Sequence, residues 1–121
     1  MELTLHTETT FDSAHFLKGY DGKCSNIHGH SWKVEVWFKG DSTLKDKVGI
    51  LVDFSIMKQI KDILDHKLLN DITTVNPTAE NLTELIYYAC REEIMNNDIK
   101  VKVRVYESMI DKVTYCEGGD W

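Results

Sequence analysis

The amino-acid sequence predicts an α+β fold, a four-stranded antiparallel sheet with two helices on one face. Three observations predict it. Two stretches near the start alternate apolar and polar residues. Two central stretches carry apolar residues at helical spacing. Two late stretches alternate again. The order is strand, strand, helix, helix, strand, strand, without internal repeat, low-complexity segment or linker. Residues 1–121 are expected to form one domain.

The first strand is expected over residues 2–13. Leu3, Leu5, Thr7, Thr9 and Phe11 share one face, and Glu2, Thr4, His6, Glu8 and Thr10 the other. Residues 14–30 read as a loop through the glycines and charges between Lys18 and Lys23. Residues 31–39 alternate again, with Trp32, Val34, Val36 and Phe38 against Lys33, Glu35, Trp37 and Lys39, and Gly40-Asp41-Ser42 closes the strand. Ile50 to Phe54 is a short extended piece. From Phe54 to Leu68, the spacing of Ile56, Met57, Ile60, Ile63, Leu64 and Leu68 predicts a helix that Asp53 or Ser55 could cap. Thr78, after the single proline Pro77, is the N-cap of a second helix, with Glu80 suiting the dipole in its first turn. Leu82, Leu85, Ile86, Ala89 and Cys90 form its buried stripe, and it ends near Asn96-Asn97. Val101, Val103 and Val105 alternate in a third strand, and Met109 to Tyr115 supply the last.

Composition narrows the function. The chain has 121 residues, 42% of them hydrophobic, enough for a core. So short a chain buries a smaller share of its surface than a large one, and self-association would help it. A net charge of -6 without a basic block argues against nucleic-acid binding. The N-terminus lacks the basic start and apolar run of a signal peptide. No apolar run approaches the ~20 residues of a membrane helix. Three cysteines, Cys24, Cys90 and Cys116, are odd in number and widely spaced. They do not read as a disulfide framework, so a reducing cytoplasm is expected.

The stretch Cys24-Ser-Asn-Ile-His28-Gly-His30 gathers a thiol and two imidazoles. His28 and His30 are two apart at a strand start, so both point to one face. If the first two strands form an antiparallel hairpin, His15 falls beside them. Three neutral imidazoles at one point suit zinc with a vacant fourth position, the arrangement of catalytic sites. Taken singly, His15 also reads as a satisfied strand-end histidine, and His-x-His also occurs by chance. Cys24 is open to two roles: a fourth ligand closing a structural site, or a free thiol acting as base or nucleophile. An inert Cys24 is the third reading, although a loop beside Gly22, Lys23 and Ser25 is a poor place to bury one. Cys90 reads as core, Cys116 as incidental and His6 as a surface histidine. Asp65-His66 ends the first predicted helix; the Asp can orient the imidazole, or the His can simply meet the last carbonyls. Glu107 could cap a turn or accept from a ring with adjacent N–H donors.

In FDSAHF around His15, CSNIHGHSWKVEVWF, GILVDFSIMKQIKDILDHKLLND, NPTAEN and VYES, taken in order, the chain resembles the 6-pyruvoyltetrahydropterin synthase / 6-carboxytetrahydropterin synthase family over essentially its whole length. The resemblance implies the tunnelling fold, in which subunits join sheets into a barrel with active sites at their interfaces, here a homo-oligomer, a hexamer. It implies that His15, His28 and His30 hold Zn2+, which binds the hydroxyls of the substrate side chain. It further implies that Cys24 abstracts a proton, that Asp65 and His66 complete proton transfer, and that Glu107 anchors a pterin ring with Thr78 at the pocket. Three residues between Cys24 and His28 resemble the carboxy-forming branch. Its substrate is the pterin triphosphate 7,8-dihydroneopterin triphosphate, cleaved to 6-carboxytetrahydropterin, acetaldehyde and triphosphate on the way to queuosine and other 7-deazapurines. The pyruvoyl-forming branch carries a longer gap. A non-catalytic module with a closed Cys plus three-His site is the reading from another class. The tail CEGGDW and Met109 depart from the family pattern.

Overall fold

The computed structural model describes all 121 residues. Its sheet has four antiparallel strands in the order β1-β2-β3-β4. They are β1 (Glu2–His15), β2 (His28–Asp41), β3 (Lys100–Ser108) and β4 (Thr114–Gly119). Two helices, α1 (Ile56–Leu64) and α2 (Ala79–Glu93), join β2 to β3. Helix α1 packs against β1, and α2 against β3 and β4. The core fills the space between helices and sheet. Phe11, Trp32, Val34, Val36, Phe38, Val101, Val103 and Val105 come from the sheet, and Ile56, Ile60, Leu64, Leu82, Ile86 and Cys90 from the helices. The expected alternation therefore selects the correct face in β1, β2 and β3.

Several boundaries differ from expectation. Strand β1 continues to His15 and β2 begins at His28, because His15 pairs directly with His28 and the ladder runs unbroken to Glu2 and Asp41. The histidines are thus ladder residues, not loop residues. Helix α1 is shorter than the periodic stretch. Asp53 Oδ1 accepts from Ser55 N at 2.9 Å, holding the chain in a turn before the helix. At the other end Asp65 is extended and His66 takes φ 55°. The chain then runs along the free edge of β1, where His66 N donates to Asp12 O and Ala14 N to Lys67 O. Those edge bonds replace the helical bonds the periodicity predicted. Helix α2 stops at Glu93 rather than near Asn96. The segment Ile50–Phe54 lies outside the sheet. The last strand is Thr114–Gly119, not Met109–Tyr115, because Asp111 at φ 59° and the Lys112 N to Ile110 O bond make residues 109–113 a turn.

The tail is explained by its contacts. Asp120 accepts from Val101 N and from Tyr87 Oη, its own N donates to Val101 O, and Arg91 Nη1 approaches it at 3.4 Å. Trp121 lies under the Lys39 and Lys102 ammonium groups, at 4.2 and 5.0 Å. Gly119 has φ 153°, and a Cβ there would stand 2.4 Å from Val101 O. Glycine is the residue this close strand approach admits.

Candidate active site

The site lies on the helix-covered face of the sheet, one pleat beyond Trp32. Register places His15 opposite His28 and Ser13 opposite His30. Period two puts His28, His30 and Trp32 on one face of β2. The three imidazole rings stand 4.6, 5.1 and 4.8 Å apart between centroids. Trp32, fully buried, forms the floor, edge-on to His15 and His30. Its Nε1 donates to Ser13 O at 3.2 Å.

The tautomers follow from the partners. His15 Nδ1 is 2.8 Å from the Pro77 carbonyl, and His28 Nδ1 is 2.7 Å from the Asn26 carbonyl. A carbonyl only accepts, so each Nδ1 carries a proton, and in the neutral ring the lone pair is on Nε2. His15 Nε2 and His30 Nε2 are buried without a hydrogen-bond partner. Burial lowers the His15 pKa against the opposing Pro77 hydrogen bond, and the neighbouring His28 lowers it further. Burial likewise lowers that of His30, against the charge of Glu107. The ligand atoms of His15, His28 and His30 lie within 4.8 Å of one another. Three imidazoles at this spacing, two of them oriented by carbonyls and two with an unpartnered Nε2, fit a divalent metal.

Glu107 belongs to the same place. It sits near the end of β3, its Oε1 3.8 Å from His30 Nε2. Cys24 is half-buried in the short 3-10 turn Lys23–Ser25 and is not among the clustered ligand atoms. Asp65 and His66 form a pair, with Oδ2 2.9 Å from Nδ1. Asp12 N donates to Asp65 Oδ1 at 3.0 Å, and this bond, with the His66 contact, holds the Asp65 carboxyl below its usual range. The His66 side chain is 80% exposed at the free edge of β1. Thr78 Oγ1 accepts from Asn81 N at 3.1 Å and caps α2, as expected. His6 is on the opposite face of the sheet, against Trp37. It nears Glu8 and Glu35, a directly paired couple of carboxylates that Lys33 Nζ bridges at 3.3 and 3.5 Å.

Sequence reasoning passed over the carbonyls that orient the imidazoles. It also passed over Asn70 and Asn76, which bond the chain just beyond His15. The Asn before Pro77 was visible in NPTAEN, but a hydrogen bond to residue 18 leaves no periodic trace. No helix is long and apolar enough to cross a membrane.

Residues 4–118 match the family described as 6-pyruvoyl tetrahydropterin synthase. A Synechocystis protein named 6-carboxy-5,6,7,8-tetrahydropterin synthase is 33% identical over 96 residues, 73% of this chain and 74% of its own. A Bacillus subtilis protein of that name is 32% identical over 124 residues, 93% of this chain and 82% of its own. The solved 6-pyruvoyl tetrahydropterin synthase of Caenorhabditis elegans has a TM-score of 0.73 at 23% identity, covering 98% of this chain and 96% of its own. That likeness is one of fold, and the fold is the expected tunnelling fold. With the match extending from β1 to β4, the chain belongs to the 6-pyruvoyl tetrahydropterin synthase family.

Proposed function

We propose that the chain is a zinc-dependent 6-carboxy-5,6,7,8-tetrahydropterin synthase, a carbon–carbon lyase acting on 7,8-dihydroneopterin triphosphate. The observation that carries the reading is the set of three imidazoles whose ligand atoms lie within 4.8 Å of one another, with carbonyls holding Nδ1 of His15 and His28. The names of the Synechocystis and Bacillus relatives support the choice of reaction.

His15, His28 and His30 would hold the metal. Zinc there would supply a Lewis acid for the oxygens of the substrate side chain. Glu107, beside His30, would accept hydrogen bonds from the N–H edge of the pterin and so set the ring's distance from the imidazoles. Thr78, with its oxygen used in the cap, retains a hydroxyl proton to offer the pocket. The Cys24 thiolate would take the proton from the side chain of the substrate. Asp65 fixes the ring of His66, which would carry the second proton transfer. Trp32 closes the floor against water.

The same reading makes the active unit a homo-oligomer, a hexamer with sites at subunit interfaces. The outer edges of β4 and of β1 before Asp12 have no neighbouring strand, and an unpaired edge is a template for another copy. His66, exposed at the β1 edge, would serve a site shared with a neighbour. Cytoplasmic location and a place in queuosine or other 7-deazapurine synthesis belong to the same proposal.

The deciding experiment is mass-spectrometric product analysis with zinc-loaded protein and 7,8-dihydroneopterin triphosphate. Carboxytetrahydropterin with acetaldehyde is the expected result. Pyruvoyltetrahydropterin would move the chain to the reaction named in the family description. Bound zinc without turnover would leave a binding module.

A further inference from the structure

We infer that Asn70 and Asn76 are positioning residues that set the Cys24 thiol against the site through the strap Phe16-Leu17-Lys18. The inference rests on the reading of Cys24 as the base. The strap follows His15 directly, where β1 leaves the sheet. Asn70 Oδ1 accepts from Phe16 N at 2.9 Å and Asn70 Nδ2 donates to Phe16 O at 2.9 Å. Asn76 does the same two residues on: Oδ1 accepts from Lys18 N and Nδ2 donates to Lys18 O, both at 2.9 Å. A primary amide offers one acceptor and two donors, so each asparagine stands in for a peptide of a neighbouring strand. Together they grip alternate residues of the strap on one side.

Leu17, between them, presents its N–H to Cys24 O at 2.8 Å. Around Cys24 the chain is closed by Ser25 N and Oγ donating to Gly22 O and by Asn26 N donating to Lys23 O. Asn26 O in turn receives His28 Nδ1. The thiol's segment is therefore suspended between a gripped strap and a metal-site imidazole.

Both asparagines are themselves held. Asn70 follows Leu69, which is fully buried. The carbonyl of Asn76 accepts from Asn81 Nδ2 at 2.8 Å, and the next carbonyl, of Pro77, orients His15. Phe16, Leu17 and Lys18 add no residue to the core. Four side-chain hydrogen bonds spent on so little buried surface serve the placement of what the strap carries.

The test uses the zinc-loaded full chain with 7,8-dihydroneopterin triphosphate. Asn70→Asp and Asn76→Asp keep the shape and the acceptor but set an oxygen against the Phe16 or Lys18 carbonyl. Each is expected to lower kcat by about tenfold to a hundredfold, as displacement of a reacting group by about 1 Å does, with KM and zinc content held. Hydrogen exchange at the Leu17 amide should accelerate while β1 and β2 amides keep their protection. In a Cys24→Ala background the same substitutions should leave the residual turnover unchanged, because residues that act through one another do not add. An equal fall in both backgrounds overturns the inference. So does loss of zinc, or of the folded state in both variants, since the asparagines would then support the whole site. Full kcat in Cys24→Ala alone would overturn Cys24 as the base and this inference with it. The Leu17 exchange would then still report whether the asparagines hold the strap.

Discussion

His15 and His28 stand directly opposite each other across the β1–β2 ladder, with ring centroids 4.6 Å apart and each Nδ1 bonded to a backbone carbonyl. Two strands and two carbonyls thus aim both Nε2 atoms before any metal arrives. On the proposed metal site, removal of either imidazole leaves two ligands. His28→Ala is expected to retain under a tenth of the zinc of the parent after dialysis, measured by elemental analysis, because two imidazoles bind far more weakly than three. His6→Ala, on the other face, should retain all of it.

The three thiols should separate by reactivity. Cys90 is fully buried on α2, and burial pushes its pKa up to about 12. Thiolate is the reactive form, so Cys90 should resist iodoacetamide at pH 8 in the folded protein and react once guanidinium unfolds it. Cys24 and Cys116 are half-buried and should label first, as peptide mass mapping would show.

The Asp120 clasp makes a prediction about stability. Asp120→Ala leaves Tyr87 Oη and Val101 N without their partner and should cost about 1–3 kcal/mol, read as a drop of several degrees in Tm. Burial alone would raise the Asp120 carboxyl, but the hydrogen bonds from Tyr87 and Val101 and the charges of Arg91 and Lys100 outweigh it and lower the pKa. A lowered folded-state pKa means the unfolded chain binds the proton more readily. The clasp's contribution is therefore complete above the unfolded value near pH 4 and is lost as the pH falls below it. The difference in Tm between the parent and Asp120→Ala should narrow from pH 6 to pH 3.

An active site shared between copies predicts complementation. Cys24→Ala and His66→Ala proteins, each reduced to a small residual turnover alone, should regain activity when unfolded together and reassembled. If a site takes Cys24 from one copy and His66 from the next, random mixing restores roughly a quarter of the sites. Sedimentation velocity on the parent should show a discrete multi-chain species. No recovery from a co-assembled mixture would place both residues in the site of one chain.

How much was legible beforehand differs from element to element. The alternation of Trp32, Val34, Val36 and Phe38 determined which face of β2 is buried. His28 and His30, two residues further back in that period, were bound to share it. Thr78 after Pro77 determined the start of α2, since capping is local chemistry. The end of α1 was not local. Periodicity carried the helix to Leu68, but the edge of β1 offered His66 and Lys67 backbone partners that only the folded sheet provides. The same holds for the site. Spacing put His28 and His30 on one face, and His15 joined them on the condition that the first two strands pair as a hairpin, which they do. Which nitrogen faces inward was decided by the carbonyls of Pro77 and Asn26, and the loop between His15 and His28 by the amides of Asn70 and Asn76. Periodic patterns record burial, which every residue of an element shares. A single hydrogen bond between residues 54 or 58 positions apart leaves no pattern, and only the tertiary structure decides it.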